Sequence, residues 1–68
     1  MENINLENNK YKVIKSLESD DEMYFYTLDT KNDNEVVILW FNKETNKHEK
    51  VDEREYAILM NKFALIGE

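Results

Sequence analysis

Cysteine and proline are both absent from this chain of 68 residues, and glycine occurs once, at Gly67. Without cysteine, no disulfide or thiolate–metal staple can hold a small fold together. A chain this short buries only about 60% of its unfolded surface, so oligomerisation or partner binding is the natural supplement to a modest core. The missing thiols fit a reducing compartment, and a cytoplasmic location is expected. The first residues are acidic and amide-rich, unlike the basic-then-apolar start of a secretory leader. Long hydrophobic runs are also missing. The longest, Val36–Phe41, spans six residues against the roughly 20 needed to cross a bilayer, so no membrane partner is expected.

Positive charge is scarce: 9 Lys and Arg stand against 15 Asp and Glu, a formal net charge of −6. Direct binding to nucleic acid is disfavoured, because phosphate contacts need Lys and Arg. A basic protein surface, including one that itself binds nucleic acid, suits this charge. The single histidine, His48, lies in a polar stretch with no second histidine, so one chain cannot build a catalytic dyad or a zinc site around it. Ser16 and Ser19 lack a base-and-orienter set. Asp29, Asp33 and Glu35 superficially suggest a calcium loop, but the glycine and the alternating oxygen spacing of such loops are missing. An Asp- and Asn-rich turn is the simpler reading. No catalytic, metal-binding or cofactor-binding residue is expected, and the chain reads as non-enzymatic.

Three segments read as strands: Tyr11–Leu17, Met23–Leu28 and Val36–Phe41. Alternation places Tyr11, Val13 and Leu17 on one side of the first. In the second, Met23, Phe25 and Thr27 share one face and Tyr24, Tyr26 and Leu28 the other. The third is β-branched and aromatic throughout. Its residues Val36, Ile38 and Trp40 oppose Val37, Leu39 and Phe41. Lys31–Asn34 reads as a hairpin connection, since Asn and Asp tolerate left-handed backbone angles. Met1–Lys10 is expected to be a frayed end or a short strand. Asn42–Lys50, with no apolar residue, is expected to be a solvated connection.

A helix start follows. Asp52 suits the N-cap, with Glu55 three residues later as in a capping box, and Val51 and Tyr56 sit at the staple positions. Tyr56, Leu59, Met60, Phe63 and Ile66 repeat at helical spacing, flanked by Ile58 and Leu65, and Gly67 suits the helix end. The expected fold is α+β: residues 11–68 as one β-β-β-α domain, a three-stranded antiparallel meander packed against one C-terminal helix. One helix covers one face of a sheet, yet the second and third strands are apolar on both faces. The uncovered face is therefore expected to meet another protein or a second copy of the chain, with Tyr24, Tyr26, Leu39 and Phe41 as its residues.

The order strand, strand, strand, helix resembles the N-terminal lobe of a protein kinase. Tyr11-Lys-Val-Ile-Lys-Ser-Leu17 resembles the first strand, Tyr24-Phe-Tyr-Thr-Leu-Asp-Thr30 the second, and Val36-Val-Ile-Leu39 the strand carrying the nucleotide-binding lysine. Glu53-Arg-Glu-Tyr-Ala-Ile-Leu59 resembles the C-helix, with Glu55 as its glutamate. The departures exclude kinase chemistry. Leu39 stands at the lysine position, and the acidic Glu18-Ser-Asp-Asp-Glu22 replaces the glycine-rich loop. The catalytic loop and metal-binding motif of the second lobe are missing. The resemblance implies at most an interaction domain.

Glu18, Asp20, Asp21 and Glu22 place four carboxylates in five residues. A solvated turn explains them, as does a docking point for Arg or Lys of a partner, with carboxylates standing where phosphates otherwise would. In size, acidity and lack of cysteine the chain is similar in style to viral anti-defence proteins such as anti-CRISPR proteins. The expected function is a protein-binding inhibitor or regulator that acts by occlusion through an acidic, aromatic surface. The alternative is a homo-oligomeric scaffold domain.

Overall fold

A computed structural model describes residues 2–66, with all their side chains except that of Ile66. Five strands precede one helix: β1 (Asn3–Leu6), β2 (Asn9–Ser19), β3 (Glu22–Asp29), β4 (Glu35–Asn42), β5 (Lys47–Lys50) and α1 (Glu53–Ile66). The strands form one antiparallel meander in chain order. The α+β class and the C-terminal helix are as expected, but the sheet has five strands rather than three. The N-terminal segment supplies β1, and the stretch expected to be solvated supplies β5. Lys-His-Glu-Lys has no apolar alternation to reveal it, and β5 is a strand because β4 offers it a paired edge.

Left-handed backbone makes every reversal between strands. Glu7 and Asn8, at φ 52° and 67°, turn β1 into β2, while Asp20 and Asp21, at 53° and 66°, turn β2 into β3. Two-residue turns with both φ values positive match the twist of the strands they join. Asp33 and Asn34 do the same work in the β3–β4 loop, and Asn46 between β4 and β5. With glycine confined to Gly67, the side chains best able to tolerate these angles, Asn and Asp, fill six of the seven positions.

The uncovered face finds its cover within the chain. In a flat sheet β1 and β5 would lie four spacings apart, about 19 Å. Instead the two edge strands touch, so the sheet curls almost into a barrel. Ile4, Tyr11 and Leu39 are buried on its concave side, with Leu6, Val13, Phe25 and Val37 packed around them. A second chain is not required to bury Ile4, Tyr11 and Leu39, which corrects the expectation for Leu39, while Met23, Phe25 and Phe41 on the same face stay half-buried.

The convex face meets α1. Leu59 and Phe63 pack on Ile38, with Leu17, Tyr24, Tyr26, Val51, Tyr56 and Met60 around them. The Asp52 carboxylate accepts a hydrogen bond from the Glu55 amide at 2.8 Å, the expected cap, and both staple residues join the cluster. Ile58 and Leu65 do not widen the packed stripe: they are 52% and 88% exposed. Gly67 lies outside the described residues. No helix among the described residues is long and apolar enough to cross a membrane.

One local irregularity redirects a whole half-strand. The β2–β3 register steps from Val13 opposite Thr27 to Lys15 opposite Tyr26, leaving Ile14 as an extra, bulged residue. Beyond it every side chain of β2 changes face. Tyr11 and Val13 therefore point to the concave core while Leu17 pairs with Tyr24 on the convex side. Strict alternation had placed all three together.

Candidate functional site

The acidic hairpin tip is braced from three directions. Ser19 and Glu22 close the β2–β3 hairpin, with Asp20 and Asp21 exposed at its end. The Trp40 indole N–H, from β4, donates to Glu22 Oε1 at 2.5 Å. Lys43, in the β4–β5 loop, donates from Nζ to the backbone carbonyl of Asp21. Lys62 on α1 donates from Nζ to the Ser19 hydroxyl at 3.2 Å. One of these contacts holds the backbone of the turn and the other two hold the Ser19 and Glu22 side chains that flank it.

Beside the tip, Ser19, Asp20, Tyr24, Glu55, Ile58 and Lys62 line a recess of about 130 Å³ between the hairpin and α1. Burial there raises the Tyr24 pKa, and the negative charges of Glu55, Glu22 and Asp20 raise it further. Tyr24 thus stays protonated, a neutral hydroxyl donor set among carboxylates. The sequence marks Glu55 as a capping residue, and nothing local shows that the helix carries it to the tip. Lys43 and Lys62 were likewise not read as part of the site, since both come from elements distant in sequence.

The expected acidic group is divided. Asp20, Asp21 and Glu22 stay together, whereas Glu18 pairs with Met23 on the concave side, in the row of Phe41 and His48. The expected face of Tyr24, Tyr26, Leu39 and Phe41 is not one face. Tyr24 and Tyr26 pair with Trp40 and Ile38 on the convex side, while Leu39 and Phe41 pair with Phe25 and Met23 on the concave side. Leu39 is 0% exposed, and the Tyr26 ring packs edge-on against Phe63 with centroids 5.6 Å apart. Only Tyr24 borders the acidic tip.

Three of the remaining candidates, His48, Asp29 and Glu35, have structural partners. His48 lies against the rings of Phe41 and Phe25, at centroid distances of 5.1 and 5.5 Å. Asp29 Oδ1 accepts from the Lys31 amide at 3.0 Å, and Glu35 Oε1 accepts from the Asn32 side-chain amide at 2.5 Å, so these carboxylates order the β3–β4 loop. Among the described residues, no three His, Asp or Glu side chains gather where they could hold a metal ion. No protein-family model matches the chain, and neither a curated protein nor a solved structure matches it.

Proposed function

We propose that this chain is a non-enzymatic binding protein that occludes a cationic surface of another protein through its β2–β3 tip. One observation carries the reading: Asp20 and Asp21 project from a turn braced by Trp40, through the Glu22 carboxylate, and by Lys43 and Lys62, beside a recess where Glu55 adds a further carboxylate. A fixed turn presents these charges without first losing conformational freedom, and the gain on binding is larger for it. Tyr24 supplies a neutral donor and an aromatic face next to them, a side chain frequent at the centre of interfaces. A surface of this kind competes with phosphate for Arg and Lys. The partner is thus a basic protein, of the class that handles nucleic acid, and the outcome is inhibition by occlusion.

The test uses a fluorescent, glycine-spaced arginine peptide, which carries positive charge but is a poor strand former. Saturable binding is expected, falling steeply with salt and at least about tenfold in the Asp20→Asn, Asp21→Asn, Glu22→Gln variant. Equal affinity for that variant, folded by circular dichroism, sinks the reading. A second reading, a self-associating scaffold domain, draws support from Ile58 and Leu65, two exposed apolar side chains seven residues apart on α1. Light scattering that shows a concentration-dependent dimer, lost in Leu65→Lys, favours it.

A further inference from the structure

Strand β2 is longer than the neighbour on its outer side. It runs from Asn9 to Ser19, but β1 pairs with it only from Asn9 to Lys12, and one further bond joins the Val13 amide to the Glu2 carbonyl at 3.0 Å. From Lys15 to Ser19, beyond the bulged Ile14, the strand pairs with β3 on one side, and among the described residues no strand pairs with the other. An unpaired edge offers a row of backbone donors and acceptors to any extended chain.

Two clefts meet along this edge and share Ile14 and Lys15. One, about 410 Å³, is lined by Glu2, Val13, Ile14, Lys15 and Ser16. The other, about 300 Å³, lies beneath the C-terminal half of α1, where Met60, Phe63 and Ala64 face Ile14 and Tyr26. The bulge leaves Ile14 itself 42% exposed between them. Sheet rows also end here on the concave side. Ser16 continues the row of Phe25 and Leu39, and Glu18 the row of Met23, Phe41 and His48. Met23, Phe25 and Phe41 are only half-buried, so a further strand would add cover to them.

Charge selects the occupant. Glu18, Asp20 and Asp21 crowd the tip end of the edge and Glu2 borders the other end; Lys15 is the one cation in the strand between Ile14 and Asp21, while Lys62 and Lys43 reach Ser19 and Asp21 from α1 and the β4–β5 loop. Two copies of a chain carrying −6 each repel one another, whereas a basic segment is attracted.

We propose that the open edge Ile14–Ser19 binds an extended segment of the basic partner as a sixth strand, with Lys or Arg side chains at the acidic tip and an apolar side chain in the Ile14–Met60–Phe63 cleft. Backbone pairing would supply affinity and the alternate side chains specificity, as in other strand-addition complexes. This proposal rests on the reading of the tip as a docking site for a basic partner, and adds how that partner is held.

The probe is the acetylated hexapeptide of alternating lysine and valine, titrated into the isotopically labelled chain while amide hydrogen exchange is followed by NMR. Two further versions carry N-methyl groups on one or the other alternating set of residues, which blocks backbone pairing while keeping charge and side chains. A fourth replaces lysine by glutamate. Saturating hexapeptide is expected to slow exchange at least about tenfold at amides between Ile14 and Ser19. One N-methylated version should bind at least about tenfold more weakly than the other, and the glutamate version weakest of all. Failure of the hexapeptide to bind, or equal affinity of both methylated versions, overturns strand addition. Protection of the edge that grows with protein concentration alone also overturns it, because the occupant is then a second copy. The glycine-spaced arginine peptide separates the two proposals: if it still binds through Asp20 and Asp21, the tip reading stands while the edge falls.

Discussion

The two faces of the sheet are buried by different means. The convex face is closed by a separate element, a 14-residue helix about 21 Å long whose apolar stripe lies on Ile38 and its neighbours. The concave face is closed by curvature, which brings β1 round to β5 and encloses Tyr11 and Leu39. Strands that are apolar on both sides therefore do not demand cover from another molecule. In a sheet of five strands, curling removes one face from water while keeping every ladder bond.

Substitutions on the two faces test whether both are cores. On the convex side, Phe63→Ala should cost about 3–5 kcal/mol, enough to leave so small a domain largely unfolded. On the concave side, Leu39→Ala should cost about 2–5 kcal/mol, because its side chain is fully enclosed. Urea unfolding followed by circular dichroism measures both. A cost below about 1 kcal/mol for Leu39→Ala, with Phe63→Ala still severe, would return the concave face to the status of an open surface.

Ile4→Ala sharpens the comparison, since β1 contributes to one face only. Its expected cost is about 2 kcal/mol. Side-chain NMR signals of Tyr11 and Leu39 should shift while those of Leu59 and Phe63 hold their positions. Shifts of equal size on both faces would mean that the two clusters act as one.

Asp52→Ala acts on the helix alone. Loss of the cap to the Glu55 amide should cost about 1 kcal/mol and fray the first turn, without altering amide exchange in β1 or at Tyr11.

The smallest effect concerns the tip. Burial and then the Glu55, Glu22 and Asp20 charges hold the Tyr24 pKa above 10.0, so the folded state favours the protonated phenol more than the unfolded state does. The associated stability is present below pH 10.0 and is lost as pH rises through the folded pKa. Tyrosinate absorbance, read as the difference between the parent and Tyr24→Phe, should show ionisation at lower pH when Glu55→Gln is introduced. An unmoved titration would separate Glu55 from the tip.

Elements with strong local signals were legible without the structure. Strands β3 and β4 have branched and aromatic alternation, and Asp52 with Val51 and Tyr56 marks the helix start. Strand β5 was not, because Lys-His-Glu-Lys has no apolar period and its partner edge is supplied by β4. The bulge at Ile14 was not either, since an extra residue leaves no local composition mark, yet it moves Leu17 from one face to the other. The acidic tip was visible as a run of charge. Its division, with Glu18 facing the concave side, follows from the register across a two-residue turn.

By itself the sequence determined the class of the fold, the position of the helix, and a net charge of −6. It did so through short-range rules: alternation along strands, spacing along the helix, caps, and the tolerance of Asn and Asp for left-handed turns. Tertiary structure decided the curl that buries Leu39, the pairing that makes β5 a strand, and the approach of Glu55 and Lys62 to the tip. Those depend on contacts between residues far apart in the chain, whose energy exists only once the whole sheet has closed.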